Sequence, residues 1–160
     1  MQSLTDRPRS SVGRAQIKNY MNSKSKGNLG EIKVASEFIK WGCTVSFPFG
    51  DNARYDLIID DGNSLKRVQV KYADSKNASD AWRCVCVSST NHTTNKNLHG
   101  YQGDVDIMAF YIAELDECIM FNISEIKDKT NVYVRNTAPL NNQTNVTYIK
   151  DHTFDNYLKK

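Results

Sequence analysis

The chain has 160 residues, of which 39% are hydrophobic and 24% are charged, and its formal net charge at pH 7 is +3. This composition fits one folded domain with a packed core, and it excludes a fibrous or wholly disordered chain. No run of residues approaches the roughly 18 consecutive apolar positions of a membrane span, and no apolar N-terminal region marks a signal peptide, so a cytoplasmic protein without membrane contact is expected.

The start of the chain is polar and basic, and we divide an N-terminal arm, residues 1–23, from a domain of residues 24–160. Residues 1–27 carry six Lys or Arg and the single acid Asp6. Such an arm can lie along a phosphate backbone. A solvated terminus without a partner fits the same composition, and weak periodicity over residues 12–21 permits a short helix.

The first clear element is a helix predicted over residues 28–41, where apolar side chains recur at helical spacing and Gly42 is placed to end it. On a helical projection Glu31 falls near the middle of the apolar arc. An acid in a core-facing stripe is costly unless another group pairs with it. The plain alternative is an acid favoured at the helix start by the helix dipole. The arc runs from Trp41 through Phe38 and Ala35 to Ile32. The apolar residues of the helix are Leu29, Ile32, Val34, Ala35, Phe38, Ile39 and Trp41.

A β-hairpin is predicted next, because two β-rich runs flank the turn sequence Asp-Asp-Gly-Asn at residues 60–63. If residues 61–64 form the turn, Asp56 lies opposite Gln69. Side chains alternate along a strand, so Gln69 and Lys71 share one face, which Asp56 joins from the partner strand. The other face is predicted to be core and carries Tyr55, Leu57, Ile59, Val68, Val70 and Tyr72.

The remaining chain predicts mostly strands. The polar stretch of residues 89–103 is expected to be a loop, and residues 153–158 a terminal helix. Residues 131–135 and 145–150 are expected to be edge strands. Further strands are predicted over residues 44–47, 82–88, 104–113 and 118–122.

The convergence of these polar side chains indicates a cation site. Glu31 and Asp56 can bind one hard divalent ion, because Mg²⁺ prefers oxygen ligands and usually takes one or two carboxylates. Gln69 offers its side-chain carbonyl oxygen, and the backbone carbonyl of Val70 is the expected further ligand. The ion would polarise a phosphate, and Lys71 would orient the attacking water or neutralise developing charge. Taken singly, each residue also fits an ordinary solvated or edge position.

These residues closely resemble the signature of the PD-(D/E)XK nuclease superfamily. The match reads Gly30-Glu31, Tyr55-Asp56 and Gln69-Val70-Lys71. Tyr55 replaces the nominal Pro, and Gln69 replaces an acid, which removes one metal-binding charge. The Gln-x-Lys variant is similar to the branch that includes group I intron homing endonucleases of bacterial and phage origin.

The resemblance implies an α/β (α+β) fold with a restriction-endonuclease-like core: a central mixed β-sheet flanked by helices, an N-terminal catalytic helix and a β-hairpin. It also implies that Glu31, Asp56, Gln69 and Lys71 form the active site. The expected cofactor is Mg²⁺, for which Mn²⁺ can substitute, and the expected partner is double-stranded DNA. A homodimer or homotetramer in a bacterial cell or phage-infected host is implied as well.

Polar side chains outside the site are candidates for DNA contact, because Asn, Ser, Lys and Arg suit base edges and phosphates. For Asp106, at the start of a later strand, we expect a structural role. The candidate DNA contacts are Arg54, Lys76, Arg83, Ser88, Asn91 and Lys96.

The leading interpretation is therefore a metal-dependent, site-specific double-stranded DNA endonuclease of homing type. Two alternatives remain open at this point. One is a nuclease with another task, namely Holliday junction resolution, restriction or repair. The other is a decayed enzyme that only binds DNA, because Gln69 lacks the usual charge.

Overall fold

The computed structural model describes residues 21–50, 52–73, 76–77, 80–92, 95–139 and 144–157, and for residues 90–92 and 95–97 the backbone alone. The predicted helix over residues 12–21 and most of the basic arm lie outside the described residues, so the division after residue 23 stays a prediction. Among the helices in the described ranges, none combines the length and the apolar character that a membrane crossing requires.

The first element is helix α1, Ser23–Lys40. It begins five residues earlier than predicted because Asn22 caps it, accepting a hydrogen bond from the Ser25 N–H at 2.8 Å. It ends at Lys40, and Gly42 follows with a φ of +81° that suits glycine and an N–H that donates to the Ile39 carbonyl at 2.9 Å. The predicted helix is thus confirmed, with its start displaced.

The predicted apolar arc of α1 is wrong at its margins. The buried positions are Gly30, Val34, Ala35 and Phe38. Three large apolar side chains assigned to the core are instead exposed, because a helix lying on a sheet buries only the stripe that touches it. These are Ile32 (63% exposed), Ile39 (60%) and Trp41 (45%).

The described residues form ten strands. In chain order these are β1 Thr44–Ser46, β2 Leu57–Asp60, β3 Leu65–Ala73, β4 Trp82–Val85, β5 Ser88–His92, β6 Asn95–His99, β7 Ile107–Ile112, β8 Glu117–Asn122, β9 Asn131–Arg135 and β10 Thr147–Tyr148.

Five strands form the central sheet in the order β1-β2-β3-β7-β8. β3 and β7 are parallel and the other pairs antiparallel, so the predicted mixed sheet is confirmed. Leu57 pairs with Val68, which is the register predicted from the hairpin turn. α1 covers one face of this sheet, where Phe38 and Val34 join Leu57 and Val68 in a buried cluster.

The opposite face of the sheet is covered by a second, three-stranded sheet in the order β10-β9-β4. Its side chains Trp82, Cys84 and Val134 pack with Phe110 and Phe121 of the central sheet. β9 was predicted as an edge strand and instead lies in the middle of its sheet.

The predicted loop of residues 89–103 is also wrong in part. β5 and β6 pair there as a two-stranded antiparallel ribbon, in which Ser88 pairs with His99. The two strands are held together by backbone hydrogen bonds, which any side chains permit. Because the side chains here are mostly polar, the sequence lacks the alternation of apolar and polar residues by which a strand is predicted.

Three short helical elements contribute to the two buried clusters, with Ile126 and Ile149 in the cluster beneath the second sheet and Phe154 in the cluster beneath α1. They are the 3₁₀ helices Ile123–Ile126 and Ile149–His152 and helix α2, Phe154–Tyr157. The ring of Phe154 packs edge-on against Phe38 with centroids 4.8 Å apart. The predicted terminal helix is therefore present over Phe154–Tyr157.

Gly30 marks the closest approach of α1 to the sheet and gives a test of this packing. A β-carbon added there would lie 3.6 Å from Val70 Cγ1, which is an ordinary contact. We expect Gly30→Ala to stabilise the protein by about 1 kcal/mol through helix propensity, and Gly30→Leu to destabilise it by about 1–3 kcal/mol through overpacking. Urea unfolding measures both.

The matched control is Gly27, which has no atom within 4 Å of an added β-carbon. Gly27→Ala should give the same gain, and Gly27→Leu should not destabilise. Equal tolerance of leucine at both positions would contradict the placement of Gly30 against the sheet.

Candidate active site

Asp56 lies where the chain enters β2, beside an open edge of β3. The pairing between β2 and β3 ends at Leu57, which lies opposite Val68, whereas β3 continues to Ala73. The backbone N–H of Val70 donates to Asp56 Oδ2 at 2.7 Å. Asp56 therefore takes the place that a longer β2 would have filled, and its carboxylate is fixed against the β3 backbone.

Gln69 connects the same two groups through its side chain. It is 8% exposed, and its Nε2 donates both to Asp56 Oδ2 and to the Val70 carbonyl, the latter at 3.2 Å. The Asp56 carboxylate oxygen and the Val70 carbonyl oxygen therefore both face the Gln69 Nε2 atom. Oxygens that converge on a donor are also suited to converge on a cation.

Glu31 reaches this point from α1. Gly30 places the helix against Val70, and the next residue, Glu31, lines a cleft of about 330 Å³ together with Asp56 and Tyr55. The two acids thus share one cavity, as the sequence predicted. Tyr55, however, was predicted to share a core face with Leu57 and Val70, and it instead packs against the buried cluster on the opposite face of the sheet.

The electrostatics of the two acids are coupled. Burial raises the pKa of Glu31, and the nearby charge of Asp56 raises it further. Burial also raises the pKa of Asp56, against the lowering effects of the Val70 N–H, the Lys71 charge and the Gln69 amide. Two neighbouring carboxylates that are costly to ionise are an arrangement that a divalent cation would relieve.

Lys71 completes the group. Its ammonium lies 5.1 Å from the ring centroid of Tyr101, and its charge acts on Asp56. The structure thus brings together Glu31, Asp56, Gln69, the Val70 backbone and Lys71, which are the predicted site residues.

The donor set decides which ion would fit. Among the described residues no three His, Cys, Asp or Glu side chains gather as a metal site. The two carboxylates and the Val70 carbonyl supply oxygen donors, and the Gln69 amide, whose nitrogen faces Asp56 and Val70 in this structure, carries one more oxygen. Oxygen donors suit Mg²⁺ or Mn²⁺ rather than zinc.

The predicted DNA-contact residues lie in varied settings. Arg83 is exposed on β4. The Ser88 hydroxyl donates to the His99 carbonyl at 3.3 Å within the ribbon. The ammonium of Lys76 pairs with Asp80 and lies 4.6 Å from the ring centroid of Trp82. The side chains of Asn91 and Lys96 lie outside the described residues.

Arg54 makes an ion pair and a hydrogen bond within the protein. Its Nε pairs with Asp104 Oδ2 at 2.9 Å, and its Nη2 donates to the Gly100 carbonyl at 2.8 Å. Asp106, two residues after Asp104, accepts a hydrogen bond from the Arg67 N–H at 2.8 Å. It therefore has the structural role that was expected. Tyr101 and Asp104 were not predicted to lie beside the site. Their contacts with Lys71 and Arg54 join residues that are distant in the chain, which local sequence patterns do not report.

A mixed sheet with an acid-bearing helix on one face, and an Asp beside a Gln-x-Lys strand where the pairing of β2 with β3 ends, defines a nuclease of the restriction-endonuclease-like class. The PD-(D/E)XK endonuclease family model matches residues 21–155. The chain belongs to this family.

A sequence relative and a solved structure are similar to this chain. Protein 5.3 of Escherichia phage T7 is 31% identical over 110 residues, which cover 68% of this chain and 86% of the phage protein. The solved structure of a bacterial homing endonuclease, I-Ssp6803I, superposes with a TM-score of 0.74 at 21% identity, covering 87% of this chain and 93% of that chain. The structural likeness shows that the two chains share a fold.

The raised pKa of Glu31 predicts how stability depends on pH. A carboxyl whose pKa is raised on folding costs stability above that pKa, and the cost disappears below the pKa of the unfolded chain. We therefore expect Glu31→Gln to raise the unfolding temperature near neutral pH, with chelator present, and to have no such effect below about pH 4. Calorimetry at the two pH values measures this.

Asp151→Asn is the control, because it removes an exposed carboxylate of a 3₁₀ helix. It should change the unfolding temperature little at either pH. A Glu31→Gln protein that is less stable near neutral pH would show that the ionised carboxylate stabilises the fold.

Proposed function

We propose that this protein is a metal-dependent endonuclease that hydrolyses phosphodiester bonds of double-stranded DNA, with Mg²⁺ as its ion and Mn²⁺ as a substitute. One observation carries the proposal: Asp56 Oδ2 and the Val70 carbonyl face one point. That point adjoins a cleft shared with Glu31 and lies close to Lys71. Membership of an endonuclease family supports the reaction class.

The residues of the chain divide the work between binding and charge stabilisation. Asp56, Glu31 and the Val70 carbonyl would hold the ion, and the Gln69 amide carries an oxygen that can serve as a further donor. When bound, the ion supplies Lewis-acid chemistry toward the phosphate. Lys71 would stabilise the negative charge that develops on the phosphoryl oxygens or orient the attacking water.

Site specificity is the finer part of the proposal, and the β5–β6 ribbon supports it. A two-stranded ribbon fits the major groove of DNA, where base edges are distinguishable. Its residues include the candidate contacts Ser88, Asn91 and Lys96, with Arg83 on the adjoining β4. The solved relative is a homing endonuclease, so we favour this class over junction resolution, restriction or repair.

We also propose that the protein acts as a homodimer or homotetramer. Two copies related by symmetry would place two active sites on the two strands of a duplex and read paired half-sites. The exposed Ile32 and Ile39 side chains on α1 provide apolar surface that a second copy can bury.

The metal site is tested by Asp56→Asn, which keeps the shape of the side chain and removes its charge. We expect the variant to lose Mn²⁺ binding, measured by electron paramagnetic resonance. We also expect Mg²⁺-dependent cleavage to fall roughly 10³-fold, because an ion contributes several kcal/mol to such reactions. The substrate is a duplex that the unaltered protein cleaves, identified by sequencing the cut ends of a random duplex library.

Asp60→Asn is the matched control, since this residue ends the neighbouring β2 strand with an exposed carboxylate that accepts a hydrogen bond from the Gly62 N–H. It should bind Mn²⁺ and cleave normally. Unchanged Mn²⁺ binding in Asp56→Asn would contradict the site. DNA binding by the unaltered chain without Mn²⁺ binding or cleavage would instead support a decayed enzyme.

Lys71 is tested separately by Lys71→Met, which keeps the aliphatic length and removes the ammonium. Because the proposed role is stabilisation of developing charge, we expect single-turnover cleavage to fall roughly 10²–10³-fold. Mn²⁺ binding, DNA affinity and the unfolding temperature should change little. Loss of the fold in this variant would identify Lys71 as a structural residue.

A further inference from the structure

We infer that Tyr101 is a positioning residue of the active site, whose aromatic ring holds the ammonium of Lys71 in place. This inference rests on the proposed function, because it gives Lys71 its task in cleavage. Tyr101 lies 30 positions after Lys71 in the chain, in the segment between β6 and β7.

The side chains of Lys71 and Arg54 both contact the aromatic ring of Tyr101. Lys71 Nζ lies 5.1 Å from the ring centroid of Tyr101, and Arg54 Cζ lies 5.2 Å from the same centroid. Cations within about 6 Å of an aromatic centroid are attracted by the negative charge of the ring face. Tyr101 is 5% exposed, so water competes weakly for this attraction.

Packing and backbone hydrogen bonds fix the position of Tyr101. It belongs to the buried cluster that contains Phe110 and Phe121. The carbonyl of Tyr101 accepts hydrogen bonds from the N–H groups of Asp104 and Val105 at 3.0 and 3.2 Å. The ring is therefore a rigid platform for a flexible lysine.

Arg54 ties this platform to the strand that carries Asp56. Its guanidinium pairs with Asp104 and donates to Gly100, on both sides of Tyr101 in sequence. Arg54 is only two residues before Asp56. The tyrosine, the arginine and the metal-site carboxylate thus form one connected unit.

An aromatic ring suits the proposed role of Lys71 better than an ion pair would. Within the described part of the chain, no carboxylate lies within 4 Å of the Lys71 ammonium. The ring face attracts the charge without occupying the three N–H donors in strong hydrogen bonds. These donors remain free for phosphate or water, whereas a close carboxylate would compete with the substrate.

The experiment compares Tyr101→Phe, which keeps the ring face, with Tyr101→Leu, which removes it. Nuclear magnetic resonance of the unaltered protein should show the ε-methylene signal of Lys71 displaced by the ring current and absent in Lys71→Met. The displacement should persist in Tyr101→Phe and vanish in Tyr101→Leu. Single-turnover cleavage should fall about tenfold in Tyr101→Leu, the order expected for a cation–ring contact, with DNA affinity unchanged and full rate in Tyr101→Phe.

A matched control is Tyr148→Leu, because the Lys150 ammonium lies 5.3 Å from the Tyr148 ring centroid in a similar contact. It should cleave at the normal rate. If Tyr101→Leu does not fold, Tyr101→Met, which fills the space more flexibly, takes its place.

The inference is overturned if the leucine variant cleaves normally, if the ring-current displacement is absent from the unaltered protein, or if Tyr101→Phe loses as much rate as Tyr101→Leu. Failure of the proposed function looks different: the unaltered protein would cleave no duplex. In that case the displaced Lys71 signal still reports whether the ring holds the ammonium, and a normal signal overturns the contact itself.

Discussion

The hydrogen bond from the Val70 N–H to Asp56 is the constraint on which the site depends. It exists because β2 stops short of the end of β3 and leaves backbone groups of β3 without a strand partner. A buried N–H needs an acceptor, and a carboxylate supplies one at the cost of its own burial. The Val70 carbonyl on the same edge then faces the same space as the carboxylate, so the incomplete pairing creates a set of oxygens.

Three other parts of the fold contribute to the site at this edge of β3. α1 lies on one face of the sheet, and Gly30 lets it approach closely enough for Glu31 to line the cleft with Asp56. The second sheet covers the other face and supports the ring of Tyr101. The β5–β6 ribbon follows β4 in the chain and leads to Tyr101. Folding and site formation are therefore coupled, since removing either layer would displace a group of the site.

Much of the site followed from local rules of the sequence, and the rest required long-range contacts. The turn at residues 61–64 and the alternation of side chains determined the hairpin register, so the facing of Asp56 and Gln69 was predictable. Helical projection placed Glu31 toward the sheet, but it could not tell how wide a stripe the sheet would bury, so Ile32 and Ile39 were misplaced. The pairing of the β5–β6 ribbon and the contact of Tyr101 with Lys71 depend on tertiary structure, which no sequence period reports.

The most direct test of the account is a crystal of the protein soaked with Mn²⁺ and measured by anomalous diffraction. The account predicts one anomalous peak within about 2.0–2.4 Å of an Asp56 carboxylate oxygen and the Val70 carbonyl oxygen. The Gln69 amide nitrogen would then no longer lie between these oxygens. A fully occupied Mn²⁺ elsewhere, with the Gln69 amide still bridging Asp56 and Val70, would contradict it.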